Sequence, residues 1–287
     1  MRESMGNTVL DKAAFRKRVE RIENLPTLPQ LMEKFTRMIK DKTKSMSDVG
    51  EELAKDQVLT SKILRLVNSA FYGFPSRISS ITHAMVLLGY DAIKGLIVST
   101  SVFDKVNADV YPLWRHSIAT SMITRSLGHA LQLQDVEELA VAGLLHDLGK
   151  VVLWIEVPQE YRWAIANAEQ TDRAMWQSER EVLGFDHADI GLWLCERWML
   201  PPRLAEVIGY HHKPALAKAN RQRVAVVAAA EAFARGMGQG AEQELPLFPL
   251  DPVVEELAGT LAYKIDALVD DILPQLDTLS TLEPKDI

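Results

Sequence analysis

The sequence predicts an all-α protein, because its apolar residues recur at helical spacing and no segment alternates as a half-buried strand would. The periodic segments are separated by capping residues and by proline or glycine breakers, as successive helices are. With 287 residues, 47% apolar and 25% charged, the chain is long enough for two modest domains or one large one.

The first third of the chain contains six expected helices. Pro29 suits a first helical turn, Asp56 and Ser80 are capping residue types, and Gly89 is a typical helix end. The expected spans are Phe15–Ile22, Pro29 to about Lys40, a helix from Ser47, Asp56 to about Asn68, Ser80–Gly89 and Asp91 to about Phe103.

A polar joint with a proline at Asn107–Pro112 marks the expected boundary between two lobes. This gives an N-terminal helix or linker over 1–24, a helical lobe over 25–106, and a second lobe with C-terminal helices over 107–287. A Gly- and Pro-rich loop is expected at Gly236–Pro252. The helices expected in the second lobe span Leu113 to about Leu131, Glu137–Leu148, Pro158–Ala168, Trp176–Val182, Asp186–Trp198, Leu204–His212, Val224–Ala234, Val253–Ala262 and Ile265–Leu273.

The bulk composition limits the location of the chain and its metal chemistry. The N-terminus is polar where a secretory signal needs an apolar run, and no later apolar run is predicted to reach membrane-spanning length, so a cytoplasmic protein is expected. Cys195 is the only cysteine, which excludes an intramolecular disulfide and a thiolate metal cluster. Nitrogen and oxygen atoms must therefore ligate any metal.

Nucleic-acid binding is a weaker alternative. Residues 1–105 hold 17 Lys and Arg against 12 Asp and Glu, but the charges are dispersed. The segment around Asp56–Asn68 could be a DNA-reading helix-turn-helix, in which case neutralising Lys62 and Arg65 would weaken DNA retention. Its long apolar face favours a core helix instead.

A candidate metal centre lies around A-V-A-G-L-L-H-D-L-G-K at 140–150, where His146 and Asp147 adjoin near an expected helix end at Gly149. Five histidines fall in apolar helical contexts near helix ends, whereas His129 lies on an expected exposed face. Each of the five alone fits a buried core histidine. An adjacent pair is harder to bury as packing, because each ring needs two partners. The five are His116, His146, His187, His211 and His212.

The motifs H-D-L-G-K, D-H-A-D-I-G and Y-H-H, which follow His116, resemble the metal-dependent phosphohydrolase core of the HD superfamily. L-P-T-L-P, L-T-S-K-I-L-R-L-V-N-S-A-F-Y-G and I-S-S-I-T-H-A-M-V-L-L-G resemble the HDOD domain, the HD-related output domain of bacterial signalling proteins. The resemblance covers about Leu25 to Ala234 and implies a helical N-terminal lobe packed on an HD-like helical bundle.

The resemblance also implies a ligand set. His116 matches the first histidine, His146 and Asp147 the signature doublet, and His187 the next histidine. His211 and His212 match the paired histidines of the dinuclear HD-GYP branch. The last acidic position falls on Glu231, where aspartate is usual and where the extra methylene displaces the carboxylate. One or two ions of iron, manganese or zinc suit these ligands.

The implied function is a protein-contact output module, because HDOD domains are regarded as non-catalytic and often follow a receiver or other sensor domain. After His212 the chain reads K-P-A-L, without the E-x-x-D-G-x-G-Y-P loop of HD-GYP enzymes. The alternative is an active phosphohydrolase on nucleotides or cyclic dinucleotides. In that case Lys150 would neutralise phosphate charge, whereas otherwise it is a cation in the last turn of a helix.

Overall fold

The computed structural model of the protein describes residues 10–19, 28–69, 72, 74–103, 110–240 and 250–279. Every regular element in these ranges is helical, so the predicted all-α fold is confirmed. Two short 3₁₀ turns, Pro214–Leu216 and Ala262–Lys264, interrupt the α-helices. The α-helices are α1 Lys12–Val19, α2 Leu28–Lys40, α3 Met46–Ala54, α4 Gln57–Val67, α5 Ile81–Phe103, α6 Tyr111–Ala130, α7 Val136–Leu145, α8 Leu148–Glu156, α9 Pro158–Thr171, α10 Met175–Leu183, α11 His187–Arg197, α12 Pro202–Tyr210, α13 Arg221–Gly236, α14 Pro252–Leu261 and α15 Ile265–Leu279.

Local capping explains the short helices α3 and α4. Ser45, rather than Ser47, caps α3 in a reciprocal capping box with Asp48, and Asp56 caps α4 by accepting a hydrogen bond from the N–H of Leu59 at 3.0 Å. The apolar face of α4 is buried, as the core-helix interpretation predicted. Its buried residues are Leu59, Ile63, Leu66 and Val67.

The long helix α5 bends at Gly89, whose φ of 83° is positive and therefore left-handed. Gly89 is itself non-helical, so the two helices expected on either side of it meet there at a kink, as predicted. The prediction that no apolar run reaches membrane-spanning length was wrong, because Ile81–Val102 has the length and composition of a spanning helix. However, 61% of that stretch is buried inside the fold, as in the core helix of a globular protein.

The helix that bears the doublet ends earlier than predicted. α7 ends at Leu145, and a further helix, α8, begins at Leu148 and contains Gly149. The predicted stop at Gly149 was therefore wrong. This glycine is needed for a close approach, because a Cβ there would lie 2.0 Å from the backbone oxygen of His187.

The lobe boundary predicted at Asn107–Pro112 falls partly outside the described residues, which resume at 110. Tyr111 and Pro112 form the first turn of α6 rather than a joint. The expected linker, the L-P-T-L-P segment and the Gly- and Pro-rich loop also extend into ranges that the structure does not describe. The division into 1–24, 25–106 and 107–287 therefore stays a prediction.

Candidate metal centre

The structure brings together the seven side chains that the sequence analysis proposed as ligands. They divide into two groups, and within each group one ligand atom per residue lies within 4.8 Å of the others. One group is Asp147, His187, His211 and His212, and the other is His116, His146 and Glu231.

Helix termini deliver most of these side chains. His146 is the C-terminal cap of α7, Asp147 follows it, and His187 is the first residue of α11. His211 and His212 follow the last turn of α12. The remaining two, His116 on α6 and Glu231 on α13, project from helix interiors. Five different helices and their ends therefore build the centre.

Asp147 lies between the two groups. Its Oδ1 is 3.1 Å from Nε2 of His187, and its Oδ2 is 3.3 Å from Nε2 of His146 and 3.7 Å from Nε2 of His116. The carboxylate is fully buried, and its closest cationic partner among the described residues is Lys150, whose Nζ is 3.0 Å from Oδ2, while neither oxygen accepts a hydrogen bond of good geometry from those residues. A buried carboxylate in this state is costly unless cations neutralise it. Its two oxygens thus lie near histidines of both groups.

In His116, His146 and His211, the ring nitrogen that points away from the centre donates a hydrogen bond to a backbone carbonyl. Nδ1 of His116 donates to the oxygen of Gln239 at 2.8 Å, and Nδ1 of His146 donates to that of Gly143 at 2.7 Å. Nδ1 of His211 donates to the oxygen of Ile208 at 2.8 Å. A neutral imidazole has only one N–H, so each Nε2 presents a lone pair to the centre.

His187 is held by a buried carboxylate instead. Glu179 on α10 accepts from Nδ1 of His187 at 2.6 Å and from its backbone N–H at 2.8 Å. Nε2 of His187 lies 2.7 Å from Nε2 of His212 and 3.3 Å from Nε2 of His211. Three ring nitrogens and a carboxylate oxygen therefore meet at one point, an arrangement that a cation satisfies better than one shared proton does.

The protonation of the rings agrees with this geometry. Burial lowers the pKa of His187, but the carboxylates of Glu179 and Asp147 outweigh it and raise that pKa to about 10. Burial, reinforced by the neighbouring charge of His146, lowers the pKa of His211 to about 4. Burial and the charge of His211 also lower the pKa of His212. The rings of His211 and His212 are thus neutral and able to ligate. Burial lowers the pKa of His146, but the charge of Asp147 outweighs it and raises that pKa, so a metal ion would replace a proton on both His146 and His187.

One of the two sequence interpretations placed Lys150 in the last turn of a helix, and that interpretation was wrong. Lys150 lies in the first turn of α8, almost fully buried, with Nζ 3.0 Å from Oδ2 of Asp147. Its side chain also lines a cleft that opens onto the metal centre, together with Trp176, His211, His212 and Arg235.

Glu231 reaches the centre despite its extra methylene. Burial raises its pKa, but the charges of His211 and His146 lower it further, so the side chain is a carboxylate. Its Oε2 is 3.9 Å from Nδ1 of His212 and its Oε1 is 3.9 Å from Nη1 of Arg235. These long separations leave both oxygens able to ligate an ion.

The sequence analysis missed the residues that orient the ligands. Glu179 precedes His187 by eight residues on another helix, and the carbonyl of Gln239 reaches His116 across 123 positions. Trp176 was predicted only as part of a helix, yet its ring stacks on that of His212 at 6.0 Å. No local motif marks these residues, because tertiary packing alone brings them to the ligands.

Residues 25–214 match the model of a protein family described as the HDOD domain. An uncharacterized protein of Treponema pallidum (strain Nichols) is 28% identical over 200 residues, which are 67% of this chain and 38% of that protein. The chain thus spans less than half the length of that relative.

Three solved structures share the fold. An HDOD domain protein of unknown function from Geobacter sulfurreducens is 25% identical, with a TM-score of 0.66 over 93% of this chain and 99% of that one. A candidate signal transduction protein from Marinobacter aquaeolei VT8 is 19% identical, with a TM-score of 0.64 over 96% and 68% of the two chains. A candidate phosphohydrolase from Shewanella amazonensis SB2B is 21% identical, with a TM-score of 0.60 over 92% and 96%.

Proposed function

The chain belongs to the HDOD domain family, and we propose that it is a bacterial signal-transduction output module that acts through protein contacts and retains a metal-binding HD-type site. The observation that carries the metal assignment is the convergence of three histidine Nε2 atoms on Oδ1 of Asp147. The partners we propose are signalling proteins or an upstream sensor or receiver domain of a cytoplasmic bacterial protein.

One or two divalent ions of iron, manganese or zinc suit this centre, because imidazole and carboxylate ligands bind all three. Asp147, His187, His211 and His212 would hold one ion, and His116, His146 and Glu231 would hold a second. Bound there, such ions lower the pKa of water and polarise phosphoryl oxygens. The protein supplies the orientation: Glu179 fixes the ring of His187, and backbone carbonyls fix three others.

Two features favour the module over an enzyme. After His212 the chain enters the 3₁₀ turn Pro214–Leu216 and then α13, so it lacks the loop that HD-GYP enzymes place there. Lys150 is also committed to Asp147, which makes it a poor partner for an incoming phosphate. The Marinobacter relative, named for signal transduction, adds support at the level of fold.

The second candidate is a metal-dependent phosphohydrolase acting on nucleotides or cyclic dinucleotides. The cleft favours it, because a substrate entering beside Trp176 would meet His212 and the guanidinium of Arg235 before it reached the metal. Cationic and hydrogen-bonding groups at the mouth of a metal centre suit a phosphate ester. In this reading the same ligands would be catalytic.

A phosphohydrolase screen separates the two candidates. The protein loaded with Mn²⁺ or Fe²⁺ is incubated with nucleotides and cyclic dinucleotides, alongside His146→Ala and Asp147→Ala variants. The module predicts bound metal without turnover. Turnover that disappears in both variants would establish the enzyme and overturn the module.

A further inference from the structure

Helix α1 is docked on the same part of the fold that carries the metal centre. It is short, at eight residues, and buries Phe15 and Val19, which are 5% and 2% exposed. The ring of Phe15 stacks on that of Phe185 at a centroid distance of 4.7 Å, and Phe185 in turn contacts Trp193 at 5.6 Å. Phe185 lies two residues before the ligand His187.

Basic side chains of α1 complete this contact. Nζ of Lys12 lies 5.7 Å above the ring of Trp193 and 3.3 Å from a carboxylate oxygen of Asp189. The guanidinium of Arg16 lies 5.9 Å from the same ring and 2.6 Å from Oε2 of Glu196. The surface that α1 covers therefore consists of aromatic rings flanked by carboxylates. Such a surface suits a short basic amphipathic helix.

The same helix also reaches α8. Nε of Arg18 is 2.5 Å from Oε2 of Glu156, and its Nη2 donates to the backbone oxygen of Glu156 at 2.7 Å. Glu156 is the last residue of α8. Helix α1 thus contacts both elements: it meets α8 at its last residue, and it follows α11 from Phe185, just before its start, to Glu196.

The starts of α8 and α11 hold two of the proposed metal ligands. Asp147 immediately precedes α8, His187 begins α11, and Oδ1 of Asp147 is 3.1 Å from Nε2 of His187. Gly149 lies so close to the backbone oxygen of His187 that no side chain fits between them. The packing of α8 on α11 therefore sets the distance between two ligands, and α1 bridges that pair of helices.

We propose that the surface formed by Phe185, Trp193, Asp189, Glu196 and Glu156 is a docking site for α1, and that docking clamps α8 to α11 and thereby strengthens the metal centre. The docking is reversible, since an isolated eight-residue helix is unstable and exposed ion pairs are weak. By linkage, metal binding must strengthen docking by the same factor by which docking strengthens metal binding. The metal half of this inference rests on the proposed function.

The test uses the full chain with α1 released by Lys12→Glu, Phe15→Ala and Arg16→Glu together. Hydrogen exchange in the metal-free protein is followed in the first turns of α8 and α11, and Mn²⁺ affinity is measured by titration. Release should speed exchange there, and weaken Mn²⁺ binding, by about five-fold or more. Lys34→Glu, which reverses one charge of an exposed ion pair between α2 and α3, is the control and should change neither.

A second pair of variants, which changes the fold less, distinguishes the loss of α1 docking from general unfolding. Arg16→Glu alone should weaken the clamp, and adding Glu196→Arg should restore exchange and affinity to within two-fold of wild type. Failure of this rescue, or release that changes neither quantity by more than two-fold, overturns the inference. If the wild-type protein binds none of Mn²⁺, Fe²⁺ and Zn²⁺, the proposed metal site fails, and the exchange measurement alone decides whether α1 clamps α8 to α11.

Discussion

Gly149 of α8 lies against the backbone oxygen of His187, the first residue of α11, so closely that a Cβ on Gly149 would stand 2.0 Å from that oxygen. The contact places the start of α8 directly on the start of α11. Asp147 and His187, which flank it, are thereby fixed 3.1 Å apart between Oδ1 and Nε2. A glycine that would ordinarily indicate a helix end is instead what allows two ligands to meet.

Gly149→Ala should destabilise the protein by about 1–3 kcal/mol, because the new methyl group must displace backbone rather than a flexible side chain. Thermal unfolding of the metal-free protein measures the loss. The matched control is Gly259→Ala, on an exposed part of α14 where a Cβ meets nothing within 4 Å. That change should stabilise by roughly 0.5–1 kcal/mol through helix propensity. Equal melting temperatures for Gly149→Ala and wild type would refute the close approach.

Glu179→Gln should weaken metal binding by about 10–100-fold, because Gln keeps the shape but not the charge that orients His187. Competition with a chelator of known affinity measures the change for Mn²⁺. Glu181→Gln, on the same helix with an exposed side chain, should bind metal like wild type. If the two variants bind equally well, Glu179 does not position the ligand.

Lys150→Met should destabilise the metal-free protein by about 3 kcal/mol, because it leaves the buried carboxylate of Asp147 without its 3.0 Å ion-pair partner. Saturating Mn²⁺ should recover much of that loss, since the ion neutralises the same carboxylate. Urea unfolding with and without Mn²⁺ gives both values. A loss of the same size in both conditions would show that Lys150 is not a counter-ion at the metal centre.

Glu206 should stabilise the fold in a pH-dependent way. It accepts hydrogen bonds from the backbone N–H groups of Lys218, Ala219 and Asn220, ahead of α13. Burial raises the pKa of Glu206, but these donors and the Asn220 side chain lower it below its usual value of 4.5. The folded form therefore favours the carboxylate, and its contribution is present above about pH 4.5 and lost as pH falls through the lowered pKa.

Glu206→Gln should accordingly cost about 1 kcal/mol at pH 7 and less at pH 3.5. Urea midpoints of variant and wild type at the two pH values measure this difference. A difference that grows on acidification would contradict the assigned direction of the pKa shift.

The fold class could be predicted from the sequence because helix signals are local. Asp56 and Asp186 each cap the helix that follows them, as their positions before apolar periodic runs indicate. Gly149 shows the limit of such reasoning. Its role depends on His187, 38 positions later in the chain. Local breaker signals alone predicted a helix end at Gly149, which instead lies in the first turn of α8.

Five histidines could be proposed as ligands because they lie in apolar contexts near helix ends, whereas the complete set with Glu231 could be proposed only from the resemblance to the HD superfamily. The orienting groups could not be proposed. The carboxylate of Glu179 and the carbonyl of Gln239 are ordinary helix and loop groups until packing brings them to His187 and His116. The docking of α1 likewise could not be predicted from the sequence, because a charged amphipathic segment at that position fits a solvated linker equally well.

Metal content of protein purified without chelator tests the central claim most directly. The account predicts at least one iron, manganese or zinc ion per chain by elemental mass spectrometry, and its loss in Asp147→Ala, which removes a carboxylate that lies against histidines of both ligand groups. A wild-type protein that remains metal-free after dialysis against each of these ions would contradict it.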